Sequence, residues 1–195
     1  MKWTYTRRSD GVISVTLDNN VWDFLFLKKI NLSQELPAGE FEIFITREVE
    51  IEGLAIPDTA SKVPLKEYID TTIASCNIRT TSVFGFAAPG SVPQRAGGFG
   101  QGTWQSQTER EFYDAIKLKY LIGKKETNSK LTKNEGDAAV AAQSFFSVAL
   151  TCENPKKPGP LRFASEHGGK VLYLPDFEGG CLTLKEYVAT FHTRA

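Results

Sequence analysis

Asp18, Asp137 and Glu153 each stand where the pattern of this sequence changes. Asp18 closes the apolar run ISVTLD and is followed at once by Asn19 and Asn20. Asp137 begins a short alanine-rich helical pattern in GDAAVAAQ, and Glu153 lies just past the apolar run VALT. Carboxylates placed where strands stop and helices start meet at one edge of a parallel sheet. Such a group repels itself unless a cation neutralises it, so the pattern predicts a divalent-metal site. Taken singly, each acid has a plainer reading. Asp18 would cap the helix that follows it, and Asp137 would be a first-turn acid favoured by the helix dipole.

The elements that must position these residues alternate between strand and helix. Val12 to Leu17 reads as a strand and Val21 to Lys29 as a helix carrying Val21, Trp22, Leu25 and Phe26. Phe41 to Ile45 is a second strand after the turn-like Pro37 to Glu40, and Thr46 caps the next helix, which Pro57 ends. Lys62 to Ser75 is amphipathic through Val63, Leu65, Tyr68, Ile69 and Ile73. Ile78 to Phe86 reads as extended, Ala87 to Gly102 as an irregular loop, and Gln107 to Leu121 as a helix. Asn134 is the expected cap of a helix to about Ser147, before strands at Val148 to Thr151 and Lys170 to Leu174, with ENPKKPGP a loop between them. The alternation predicts an α/β fold with a parallel sheet.

Lys plus Arg and Asp plus Glu both number 23, so no overall basic field marks the chain as a sequence-specific DNA binder. Cys76, Cys152 and Cys181 form no CxxC pair and read as reduced thiols. With a polar, basic start and no run of membrane-spanning length, the expectation is a cytoplasmic protein with no membrane partner.

Four stretches, ISVTLDNNVW, FEIFITREVEIEGL, LTKNEGDAAVAAQSF and VALTCE, resemble the PIN-domain nucleases. In that family the first strand ends in an aspartate followed by small polar residues, which Asp18, Asn19 and Asn20 match. A glutamate two turns into the helix after the second strand best matches Glu52, with Glu48 on the same helical face as the alternative. The third and fourth acids match Asp137 and Glu153. Asn19 stands where the family has Thr or Ser, and Glu153 where it has Asp.

The resemblance implies a PIN-like three-layer fold with a central parallel sheet, and an insertion at about 57–128. It implies a metal-dependent ribonuclease whose Mg²⁺ or Mn²⁺ is held by Asp18, Glu52, Asp137 and Glu153, acting on RNA. Small free-standing members are often toxins of toxin–antitoxin pairs, so a small antitoxin-like inhibitor protein is an expected partner; a homodimer is a further expectation. Two alternatives stay open: a PIN fold that binds without catalysis, and an unrelated α/β phosphate-handling enzyme.

Other signals are weaker. Gly97 to Trp104 has a glycine spacing faintly like a phosphate turn, but it lacks a following Lys-Ser/Thr and reads better as a loop contacting RNA or as plain structure. Lys124, Lys125, Lys130 and Lys133 precede Asp137, while Lys156, Lys157 and Arg162 follow Glu153; they read as phosphate contacts or as solubilising charge. Glu48, Glu50, Glu52 and Glu135 each have the plainer reading of a solvated charge, and for Glu48 and Glu50 it is the better one. Neither His167 nor His192 lies near a Ser or Cys motif, so a hydrolase triad is not supported.

Overall fold

A computed structural model of the chain describes residues 3–81, 106–121, 131–177 and 182–194. The runs ISVTL and VALT form β1 (Ile13–Leu17) and β4 (Val148–Thr151), and β4 is buried along its whole length. A strand covered on both faces is buried residue after residue, so in β1 Ser14 and Thr16, which alternate with Ile13, Val15 and Leu17, are buried as well. With β2 (Phe41–Thr46), β3 (Arg79–Thr81) and β5 (Val171–Tyr173) they make a five-stranded, all-parallel sheet in the order β3-β2-β1-β4-β5. Cutting a fully buried residue such as Leu17 or Leu150 to Ala would cost about 2–5 kcal/mol.

Among the described residues eight helices flank the sheet, giving the α/β three-layer architecture expected of a PIN-like fold. One layer packs α4 (Val63–Ser75) against α1 (Val21–Leu27) and α2 (Leu32–Glu35). The other centres on α6 (Glu135–Gln143), which touches β1, β2 and β4 and also packs on α5 (Gln107–Tyr120), α7 (Pro160–Glu166) and α3 (Arg47–Leu54). Small residues make this crowding feasible: Gly136, Ala138, Ala141 and Ala142 are all buried. A 3₁₀ turn at Leu174–Asp176 follows β5, and α8 (Leu184–Thr193) closes the fold with its first N–H donating to Glu35 Oε2 at 2.8 Å.

Several local expectations change. Asn134 precedes α6 in a left-handed conformation (φ 65°) that turns its side chain away from capping, and its Nδ2 donates to Tyr120 O at 3.1 Å. Helix α6 stops at Gln143, where the Ser144 hydroxyl turns back to Ala141 O at 2.6 Å. The loop at ENPKKPGP gives way at Pro160 to α7, and α2 and α8 are further additions. The region about 57–128 supplies α4, β3 and α5, with Leu65, Ile69, Ile78, Phe112 and Ile116 in the core. Among the described residues no helix is long and apolar enough to cross a membrane.

Candidate functional site

The sheet reverses its winding between β1 and β4: β1 leads to β2 on one side, and β4 to β5 on the other. Connections that leave in opposite directions open a crevice at the carboxyl ends of the two strands, where open parallel sheets bind ligands. Asp18 is the first residue past β1, and its N–H still donates to Leu150 O at 3.0 Å, continuing the ladder to β4. Carrying the register one residue further aligns Asp18 with Thr46 and Thr151. Thr46 pairs with Thr81, and Thr151 with Tyr173. The last row of the sheet is therefore Thr81, Thr46, Asp18, Thr151 and Tyr173, polar at every position.

Two of these hydroxyls are committed to backbone. Thr46 accepts from Val49 N at 3.3 Å as the cap of α3, as its sequence predicts, and Thr81 donates to Ile45 O at 3.4 Å. Thr151 is used otherwise, donating to Asp18 Oδ2 at 2.7 Å. Asn20 Nδ2 donates to the same oxygen at 2.8 Å, while Asn20 Oδ1 accepts from Cys152 N at 2.7 Å. Asn19 N donates to Asp18 Oδ1 at 2.8 Å. Asn20 thus links the ends of β1 and β4 and fixes the carboxylate between them.

Those contacts dispose of the plain reading of Asp18. The N-cap of α1 is Asn20, without a side-chain cap bond, and it is the Asp18 backbone carbonyl that accepts from Val21 N. The Asp18 side chain is only 3% exposed and serves no helix end. Burial pushes its acid above the ordinary carboxylate range, opposed by the bonds from Thr151 and Asn19 and assisted by the nearby Glu153 charge. A buried carboxylate beside a second acid gains from a cation.

Glu153 follows β4 by two residues, its N–H donating to Thr151 Oγ1 at 3.1 Å. Its side chain, 11% exposed, is ion-paired to Lys157 Nζ. That hydrogen bond, together with the charges of Glu153, Asp137 and Asp18, holds the Lys157 ammonium above its ordinary range against the opposing effect of burial. Three acids from three parts of the chain therefore act on one cation. The fourth, Glu52, enters from α3: a Cβ built on Gly136 would lie 2.6 Å from Glu52 Oε1. The Glu52 carboxylate thus rests on the residue preceding Asp137, in the first turn of α6. Thr151 thus joins Asp18 to Glu153, Asp137 acts with both on Lys157, and Glu52 reaches the same turn of α6 at Gly136.

The donor set fits Mg²⁺ or Mn²⁺ in kind. It consists of hard carboxylate oxygens, and Asn19 Oδ1, next to Asp18 in the chain, is a buried oxygen with no hydrogen-bond partner among the described residues. Among the described residues, no three His, Cys, Asp or Glu side chains are grouped closely enough to hold an ion as they stand. Mg²⁺ commonly keeps several waters, so widely spaced donors suit it better than a closed cage would.

Three residues outside the acid set also belong to this edge. Gly136 admits Glu52, and Lys157 neutralises Glu153, although the sequence marks them only as part of an alanine-rich pattern and as a flanking charge. The Tyr173 hydroxyl is buried without a hydrogen-bond partner among the described residues, and burial together with the Glu153 charge raises its pKa to about 12. The Cys152 thiol is likewise pushed up to about 11 by burial and by Asp18 and Asp23, so it is a poor nucleophile. His167 stacks on Phe163 with ring centroids 3.9 Å apart, a packing role. The glycine-rich Gly97 to Trp104 and Lys124, Lys125 and Lys130 lie outside the described residues. No protein-family model and no curated protein matches this sequence.

Proposed function

We propose that this chain is a PIN-like, divalent-metal-dependent endoribonuclease that hydrolyses RNA phosphodiesters between Asp18, Glu52, Asp137 and Glu153. The observation that carries the reading is the Asp18 carboxylate, buried at the reversal point of the sheet, held by Thr151 and Asn20, and facing the second acid Glu153. Bound Mg²⁺ or Mn²⁺ would supply Lewis acidity, lowering the pKa of a water and neutralising charge on the phosphate. Asp18 and Asp137 are the proposed direct ligands. Thr151 and Asn20 orient Asp18, so that its charge is aimed before substrate arrives. Glu153 and Glu52 hold or deprotonate the attacking water. The exposed Lys156 offers charge to the RNA backbone.

The test is cleavage of an RNA panel by purified protein with Mg²⁺ or Mn²⁺, with excess chelator, and with Asp18→Asn and Asp137→Asn. Full activity in chelator, or in either variant, would rule the reading out. One contact favours a second reading, a PIN-like module that binds without catalysis: the Lys157–Glu153 ion pair already supplies a cation from within the chain. Absence of cleavage under every divalent metal, with RNA binding retained, selects that reading.

A further inference from the structure

We infer that Lys157 is the built-in counter-cation of the acidic crevice, and that a divalent ion binds by displacing its ammonium from Glu153. The inference rests on the metal-site reading above and adds how that site is opened. The two partners differ in how they are held. The Glu153 side chain is 11% exposed and that of Lys157 is 55% exposed, so the lysine leaves to water while the glutamate stays. Glu153 is fixed at its backbone by the bond to Thr151 Oγ1, and one carboxylate oxygen lies against Gly159, 4.0 Å from where a Cβ would stand.

The lysine's backbone cannot make the move for it. Lys156 N donates to Asn154 Oδ1 and Lys157 N to Asn154 O, both at 2.9 Å, while Arg162 Nη1 grips Lys156 O at 2.8 Å. Pro155 and Pro158 restrict φ on either side. Only the four-carbon side chain is free to swing. Its ion pair with Glu153 is partly open to solvent and therefore weak to break. A divalent ion brings twice the charge to the same carboxylates, which decides the exchange in its favour. The displaced ammonium stays tethered within a side chain's length of the crevice, where the anionic backbone of an RNA substrate would meet it.

Calorimetric Mn²⁺ titration of the full chain tests this, comparing wild type with Lys157→Met and Lys157→Gln. Removing one competing positive charge should tighten Mn²⁺ binding about 10-fold. Binding by the variants where wild type binds none would show that Lys157 blocks the site and is not displaced, and overturns the inference. Unchanged or weaker affinity in the variants, with wild type binding normally, overturns the inference and leaves the metal site standing. No binding by any of the three overturns both. A second measurement needs no variant: acetylation of Lys157 in wild type, followed by mass spectrometry, should speed up when Mg²⁺ is added. An unchanged rate at Mg²⁺ concentrations that saturate the titrated site also overturns it.

Discussion

Thr151 Oγ1 donates to Asp18 Oδ2 across 2.7 Å, tying the end of β4 to the end of β1 at the point where the sheet reverses its winding. The same hydroxyl accepts from Glu153 N at 3.1 Å, so a single threonine sets the spacing between two acids. Asn20 repeats the arrangement, donating to Asp18 and accepting from Cys152. The site is therefore built from side chains that hold other side chains, on strand ends too buried to shift.

Thr151→Val tests that hinge. Valine keeps the shape but removes the donor to Asp18 and the acceptor for Glu153 N, leaving the Asp18 carboxylate less constrained. Loss of such an orienting partner costs about 10–100-fold in metal affinity or activity. The expected outcome is a drop of that size in Mn²⁺ affinity and in single-turnover RNA cleavage, with Thr151→Ser close to wild type. Wild-type affinity and cleavage in Thr151→Val would show that Asp18 needs no help from β4.

Gly136→Ala separates stability from function. Ala is favoured over Gly by about 1 kcal/mol in a helix interior, and at Gly136, in the first turn, α6 by itself should keep part of that gain. The new methyl group would stand 2.6 Å from Glu52 Oε1, however, and the carboxylate, at the end of a flexible side chain, must retreat. Melting temperature should hold or rise while cleavage falls about 10-fold, approaching the effect of Glu52→Gln. Unaltered cleavage would mean that Glu52 does not work from this position.

Much of the frame is legible in the sequence because it depends on burial. ISVTL and VALT are strands since both faces are covered, and Thr46 caps α3 because its hydroxyl follows a strand and precedes acids. The expectations fail where turn chemistry decides. Pro160 looks like the end of a Pro-Lys loop but opens α7, as proline in a first helical turn can. The Thr183–Glu186 capping box of α8 is present in the sequence but lies beyond the last strand considered. Glu109, in the matching box of α5, is buried and accepts from Gln143 at 2.7 Å, a partner 34 residues away that no local pattern displays. At the site, acids are visible because their placement at strand and helix ends is periodic. Gly136 matters through its contact with Glu52 across the fold, which spacing along the chain does not encode, whereas Lys157 meets Glu153 only four residues away, through a loop whose turn decides the pairing.

Stability without metal should depend on pH in a direction set by Asp18 and Glu109. Burial raises both carboxyl pKa values above their ordinary 3.8 and 4.5. In the window between those ordinary values and the raised ones, the folded chain holds protons that the unfolded chain has released. Stability then falls as pH rises through that window, and the loss persists above it. Asp10 and Glu186 are shifted down and act oppositely, below their ordinary values. Urea unfolding of metal-free protein between about pH 4 and 8 should show Asp18→Asn declining less with pH than wild type. Parallel profiles would mean that Asp18 titrates alike folded and unfolded.

Glu153 should contribute less than Asp18 or Asp137. It carries one more methylene than an aspartate such as Asp18 or Asp137 and so has more rotamer freedom to lose when fixed. It is also engaged by Lys157, so a metal must first win it from an existing partner. Asp18, by contrast, is held among the described residues by three neutral donors, with no cation bonded to it there. Glu153→Gln removes the charge and releases Lys157, two effects that partly offset each other. The expected outcome is metal-dependent cleavage reduced about 10-fold, a loss of one charge's worth of attraction. Asp18→Asn and Asp137→Asn should fall much further, and Glu153→Asp should retain most activity. Single-turnover cleavage of one RNA by all four variants gives the ranking. If Glu153→Gln is as inactive as Asp137→Asn, Glu153 is a full ligand, and the pairing with Lys157 is a resting state the enzyme must leave completely.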